Sequence, residues 1–166
     1  MNEITHLRLA LRTEGFAQLP LLRQCQIPTK VGNALSEIDR FVEAAEYLSR
    51  ALELDSAFGM ARGNRALVFT RYARALYDPR HAVVLLHRAS EDLRAAIGSP
   101  HLEPEAREAF QSRAAWIAEV LELNGATAEV SRSGQASTGT RSPQRKLQRA
   151  IVKEATISRV SSERLV

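Results

Sequence analysis

Residues 41–54 read FVEAAEYLSRALEL, and their apolar positions 41, 44, 45, 48, 51 and 52 recur at the spacing of one face of an α-helix. Glu43, Glu46, Arg50 and Glu53 take the other face. Such a helix must bury its stripe against a neighbour, and the neighbours here also look helical. Val, Ile and Thr are scattered and never alternate as in a half-buried strand. Ala, Leu, Arg and Glu, all good helix formers, dominate the chain. The fold class these features imply is all-α.

Punctuation divides the rest. Asp55-Ser56 ends the first helix and can cap the next. A second strong helix is expected over residues 57–77, stopped at Asp78-Pro79 because proline disfavours helix in the residue before it. A third is expected over 81–97, ended by Gly98-Ser99-Pro100. A fourth starts at Pro104, with Glu105 favourable in its first turn, and should stop at Asn124-Gly125. Upstream, Pro20 and Pro28 are expected to break the chain, leaving helices near residues 4–14 and 29–38.

Of 166 residues, 45% are apolar and 25% charged, as in a soluble globular domain. Cys25 is the sole cysteine, so neither an internal disulfide nor a four-cysteine zinc site can form. The N-terminal apolar run is interrupted by Arg8 and Arg12, unlike a signal peptide, and no stretch is long and apolar enough to span a bilayer. A reducing, cytoplasmic setting with no membrane association is the expectation. Charge is unevenly placed. Residues 1–125 hold 15 Lys and Arg against 16 Asp and Glu, whereas residues 126–166 hold 8 against 3. The body is neutral and the tail basic.

Gly32-Asn33-Ala34-Leu35, Phe41, Ala44, Tyr47-Leu48 and Ala51 follow one another as the small and large packing positions of a helical hairpin. This segment resembles one full 34-residue tetratricopeptide repeat. Ala66, in Asn64-Arg65-Ala66-Leu67, lies 34 residues after Gly32 and resembles the start of a second. Its closing positions Ala89, Leu93 and Ala96 come about eleven residues late, which implies an extension around residues 77–86. The resemblance spans roughly residues 25–97. It implies a short tetratricopeptide-like α-solenoid of antiparallel hairpins. The expected division is an N-terminal helical segment (1–24), the repeat-like helical domain (25–125) and a disordered, basic tail (126–166). Pro28 should shorten the first helix of repeat one. Two repeats also fall short of the three or so a solenoid needs, so either flanking helices close the core or a second chain does.

The resemblance implies a scaffold that binds a protein or peptide partner, or itself, with no catalytic site of its own. In that family the first helix of each pair lines a groove. On that template Lys30, Asn33, Ser36 and Glu37 face it from repeat one, and Asn64, Thr70 and Arg71 from repeat two. Asn33 and Asn64 match two positions of a clamp that some co-chaperone members use for a peptide's terminal carboxylates. Thr29 stands at the clamp's first Lys position, and no basic pair follows at matching spacing, so the charge-assisted contacts are missing.

Other chemistry finds little support. His81 and His87 lie about 240° apart around a helix and cannot share a metal face. No HExxH or phosphate-binding loop occurs, so neither a metal nor a cofactor is expected. Residues 58–81 resemble the repeat region of bacterial proteins that place such repeats before a HEPN domain, many of which are ribonucleases. The resemblance implies, as an alternative, the repeat-containing part of such a ribonuclease or toxin-system protein. Arg74–His81 and Arg80–His87 match the HEPN Arg/His spacing, but Arg is frequent enough here for chance to supply both. The tail could neutralise phosphates, giving weak and non-specific nucleic-acid binding without aromatics to stack on bases. Residues 144–157, QRKLQRAIVKEATI, place Leu147, Ile151 and Ala155 on one helical line among basic residues.

Overall fold

In the computed structural model the backbone is described for residues 3–132 and the side chains for residues 3–124. Every regular element among them is helical: α1 (Glu3–Ala10), a 3-10 turn (Glu14–Gln18), α2 (Leu21–Glu37), α3 (Phe41–Leu54), α4 (Gly59–Ala75), α5 (Pro79–Ile97) and α6 (Pro104–Arg132). Consecutive helices from α1 to α6 pack on one another, and α4 also meets α2 and α6. The arrangement is all-α and repeat-like, with α2–α3 and α4–α5 as successive hairpins.

Three expectations about boundaries are corrected. Pro28 does not shorten its helix: α2 starts after Pro20 and runs through Pro28. Proline in a helix interior removes one backbone donor and costs roughly 3 kcal/mol. Here Pro28 and Cys25 are fully buried, Val31 and Leu35 are inaccessible on the same helix, and the Thr29 hydroxyl donates to the Cys25 carbonyl at 2.8 Å. Burial of such a stripe outweighs one lost bond, at about 1.5–3 kcal/mol per buried aliphatic side chain. The second correction is that α6 does not stop at Asn124-Gly125. It continues to Arg132, into residues expected to be disordered. Third, Asp55 closes α3 as its C-cap but does not cap the next helix. Its Oδ1 accepts from the Ala57 N–H at 2.9 Å inside the connection, and α4 begins later, at Gly59, after an N-cap at Phe58. The expectations of disorder for residues 133–166 and of a helix over 144–157 lie outside the described residues.

Two core clusters meet on α4. Val31, Leu35, Phe41, Ala44, Leu48 and Ala51 of the first hairpin close against Ala61 and Val68. Ala66 and Ala73, further round α4, join Ala82, Leu86, Ala89, Leu93 and Ala96 of α5 and Phe110, Ile117 and Val120 of α6. Flanking helices therefore complete the core: α6 on one side, and Ile4 and Leu7 of α1 on the other.

The small residues at the crossings have a steric cause. A Cβ added at Gly32 would stand 2.7 Å from Leu48 Cγ and 3.0 Å from the Ala44 carbonyl oxygen. One at Gly63 would stand 2.0 Å from the Phe110 ring. Asp78 caps α5 by accepting from the Arg80 N–H at 2.9 Å, with Pro79 in the first turn. At its far end, the Arg107 guanidinium donates to the carbonyls of Ile97, Ser99 and Leu102, which ties α6 to the end of α5.

Candidate functional site

The seven groove residues expected from the sequence are not equivalent in the structure. Lys30 and Glu37 are exposed on α2, and Asn33 and Asn64 are partly exposed on α2 and α4. Lys30, Asn33 and Glu37 fall on one face of α2 at helical spacing, and α2 packs against α4, which carries Asn64. Thr70 is 2% exposed and its hydroxyl donates to the Ala66 carbonyl at 2.8 Å, so it presents nothing to a ligand. Ser36 is also buried and accepts from Arg71 Nη1 at 3.2 Å. Arg71 reaches Asp39 Oδ1 at 3.6 Å and lies over the Phe41 ring, 5.8 Å from its centre. It thus ties α4 to the α2–α3 turn, where Asp39 takes a positive φ of 60°. Thr29, at the first clamp position, is buried with its hydroxyl turned to its own helix.

The histidines do not converge: His6, His81, His87 and His101 are all exposed. His81 Nδ1 lies 3.8 Å from Asp78 Oδ2 across the first turn of α5, while Arg74 is in the last turn of α4. Among the described residues there is no group of three or more His, Cys, Asp or Glu placed to hold a metal. No helix among them is long and apolar enough to cross a membrane. The Cys25 thiol is buried, which pushes its pKa up, and Asp55 adds to the effect.

A concavity lies elsewhere, along α3, closed by Phe69 and Tyr72 of α4 and Leu85 of α5. It is an open cleft of about 550 Å³, within the range of roughly 300–1,000 Å³ of small-ligand pockets. Phe41, Val42, Ala45, Phe69, Tyr72 and Leu85 supply apolar surface; Glu46, Ser49, Arg50 and Glu53 supply polar groups. Phe41 and Tyr72 stack at 5.5 Å, joining α3 to α4 at one end. Beneath the other wall, Arg65 makes a two-pronged pair with Asp92, at 2.7 and 2.8 Å, and gives a third bond to Ser49 at 2.9 Å. That pair connects α3, α4 and α5, and only 8% of the Asp92 side chain is exposed.

Neither the cleft nor the Arg65–Asp92 pair was singled out from the sequence. One signal for the cleft was available. Val42 and Glu46 sit off the buried stripe of α3, and the second hairpin is too long to track the first. Nothing local marks Asp92 as the partner of Arg65, 27 residues away.

Comparison with known proteins adds no relative: no protein-family model matches the chain, and neither a curated protein nor a solved structure does.

Proposed function

We propose that the chain is a protein-binding scaffold of the tetratricopeptide kind, engaging a partner on the α2–α4 side through Lys30, Asn33, Glu37 and Asn64. One observation carries the reading. The crossing residues Gly32 and Ala66, 34 positions apart, are both buried between the helices of successive hairpins, and the first helices of those hairpins pack on each other. That architecture holds an extended surface rigid without a deep pocket, as helical repeats do when they bind other proteins. The four side chains combine a cation, an anion and two amides, which suits a polar peptide segment. Ser36 and Thr70 lie beneath that surface, while Arg71, with 41% of its side chain exposed, is held at its edge by Ser36 and Asp39.

The test is affinity capture with the wild type and with a Lys30→Glu/Asn33→Ala/Asn64→Ala variant, folding being checked by circular dichroism. Proteins recovered by the wild type should be lost with the variant. An identical recovered set, from an equally helical variant, would remove this reading.

A further inference from the structure

The neighbouring helices α5 and α6 carry opposite charge on their outer faces. On α5 the exposed ionisable side chains are Arg80, His81, His87, Arg88 and Arg94 against Glu91 alone, which lies 3.9 Å from Arg88. Arg80, His87 and Arg94 recur every seven residues and so lie nearly on one line, about 21 Å from first to last. On α6, Glu105, Glu108, Glu119 and Glu122 are exposed, and between residues 104 and 124 no basic side chain is. The two arginines there are half-buried and engaged: Arg107 holds carbonyls at the end of α5, and Arg113 lies over the Trp116 ring, 5.4 Å from its centre. Among the described residues, neither Arg80 nor Arg94 nor any of the four glutamates has an ion-pair partner.

A solvated helix face ordinarily mixes its signs, as α3 does with Glu46, Arg50 and Glu53. Here the signs are sorted by helix, and that restricts what can cover the pair. A polyanion such as nucleic acid suits α5 but is repelled by the glutamates of α6 packed beside it, and a polycation meets the reverse. A second copy of this chain brings both signs. It also brings them at matching spacing. Glu105 and Glu119, like Glu108 and Glu122, stand fourteen residues apart, as Arg80 and Arg94 do. Fourteen residues are close to four helical turns, so a helix laid along another can pair both ends at once, whichever way it runs. Val84, 58% exposed, and Leu123, 44% exposed, lie on the same two strips and add apolar contact.

We propose that the chain self-associates by laying the basic face of α5 in one copy on the acidic face of α6 in another. Arg80 and Arg94 are the cations at the two ends of the contact, and the α6 glutamates are their partners. The contact joins two different patches, so it is heterologous. Exposed ion pairs are individually weak and screened by salt, so the assembly depends on protein concentration and on ionic strength. The contact uses a different surface from the α2–α4 side and stands or falls independently of it.

Sedimentation of the full chain over a concentration series tests it, with helicity checked by circular dichroism. The wild type should gain mass with concentration at low salt, and its association constant should fall roughly tenfold when salt shortens the screening length to about 3 Å. Arg80→Glu with Arg94→Glu makes both faces acidic, and Glu108→Lys with Glu122→Lys makes the α6 face basic like that of α5. Each variant alone should stay monomeric, and the two mixed should associate. Arg80→Gln with Arg94→Gln should weaken self-association in the same direction without reversing charge. A wild type that is monomeric at every concentration would overturn the proposal, as would association indifferent to salt or a mixture of the two charge-reversed variants that stays monomeric. A monomeric wild type that binds a single-stranded oligonucleotide, and loses it with Arg80→Gln/Arg94→Gln, would overturn it in favour of a polyanion on α5.

Discussion

The hairpin α2–α3 and the hairpin α4–α5 each turn through three residues, 38–40 in one and 76–78 in the other. Between those turns and their crossing residues they diverge. Gly32 is followed by five helical residues before the turn, Ala66 by nine; Ala44 is the fourth residue of α3, while Ala89 is the eleventh of α5. The extra eleven residues are therefore all helical, four on α4 and seven on α5, and the turn has not grown. Added length in a repeat need not become a loop when it can extend two helices that already bury each other. The cost is that α5 no longer tracks α3, and the cleft opens between them.

The crossings differ too. The first is closed by glycine against Leu48 and the Ala44 carbonyl, the second by Ala66 at full burial. The second hairpin also contains the Arg65–Asp92 pair, whereas the carboxylate of Glu43 in the first, partly exposed, lies between Arg8 of α1 and Arg40 at 2.7 and 2.5 Å.

Three substitutions would break or sharpen that contrast. The largest effect is expected from Asp92→Ala, which leaves the Arg65 guanidinium largely desolvated without its carboxylate. Loss of one partner from a buried pair costs about 3–5 kcal/mol, and the partial exposure of Arg65 places this case near the lower end. Urea unfolding measures it, and a loss below about 1 kcal/mol would mean the pair behaves like a surface one.

Next comes Gly32→Ala. Overpacking costs about 1–3 kcal/mol, while helix propensity returns up to about 1 kcal/mol, so a net destabilisation of about 1 kcal/mol is expected. If the unfolding midpoint does not fall, the first hairpin can relax to the wider spacing that Ala66 occupies, and the two crossings are interchangeable.

The smallest effect should come from Glu43→Gln. The Arg40 hydrogen bond, followed by that of Arg8, holds the Glu43 carboxyl below its ordinary value of 4.5. A lowered folded pKa gives stability that is present above the unfolded value and lost as pH falls through the folded one. The wild type should therefore lose more stability than the variant as acid is added from pH 5 downward. Parallel acid-unfolding curves would show that the Arg8–Glu43–Arg40 contact contributes nothing.

Much of the fold was legible because most helices carry their own evidence. The stripe of Phe41–Leu54 predicted α3 to the residue, and Asp78-Pro79 marked the break where Asp78 caps α5. At Pro28, tertiary burial overrode a local signal. Pro28 looks like a breaker because its missing N–H is visible in the sequence, whereas the packing that offsets it is not. Asn124-Gly125 has the composition of a helix stop, yet α6 passes through it. At the candidate site, position on a template could not tell that Thr70 and Ser36 turn inward. That depends on rotation about the helix axis and on Arg71 reaching back across 35 residues to Ser36. The cleft was invisible for a different reason, since it is a relation between two helices that scarcely touch.

The position of α4 has a consequence for how the molecule comes apart. It packs against both helices of its own layer's neighbours, α2 and α3 on one side and α5 and α6 on the other. Repeat arrays commonly fray one unit at a time, because each unit touches only the next. Here one helix is shared by both core clusters, so neither half can open without exposing a face of α4. Its interior amides should exchange with solvent only through global unfolding, while those of α1 exchange through cheaper local opening.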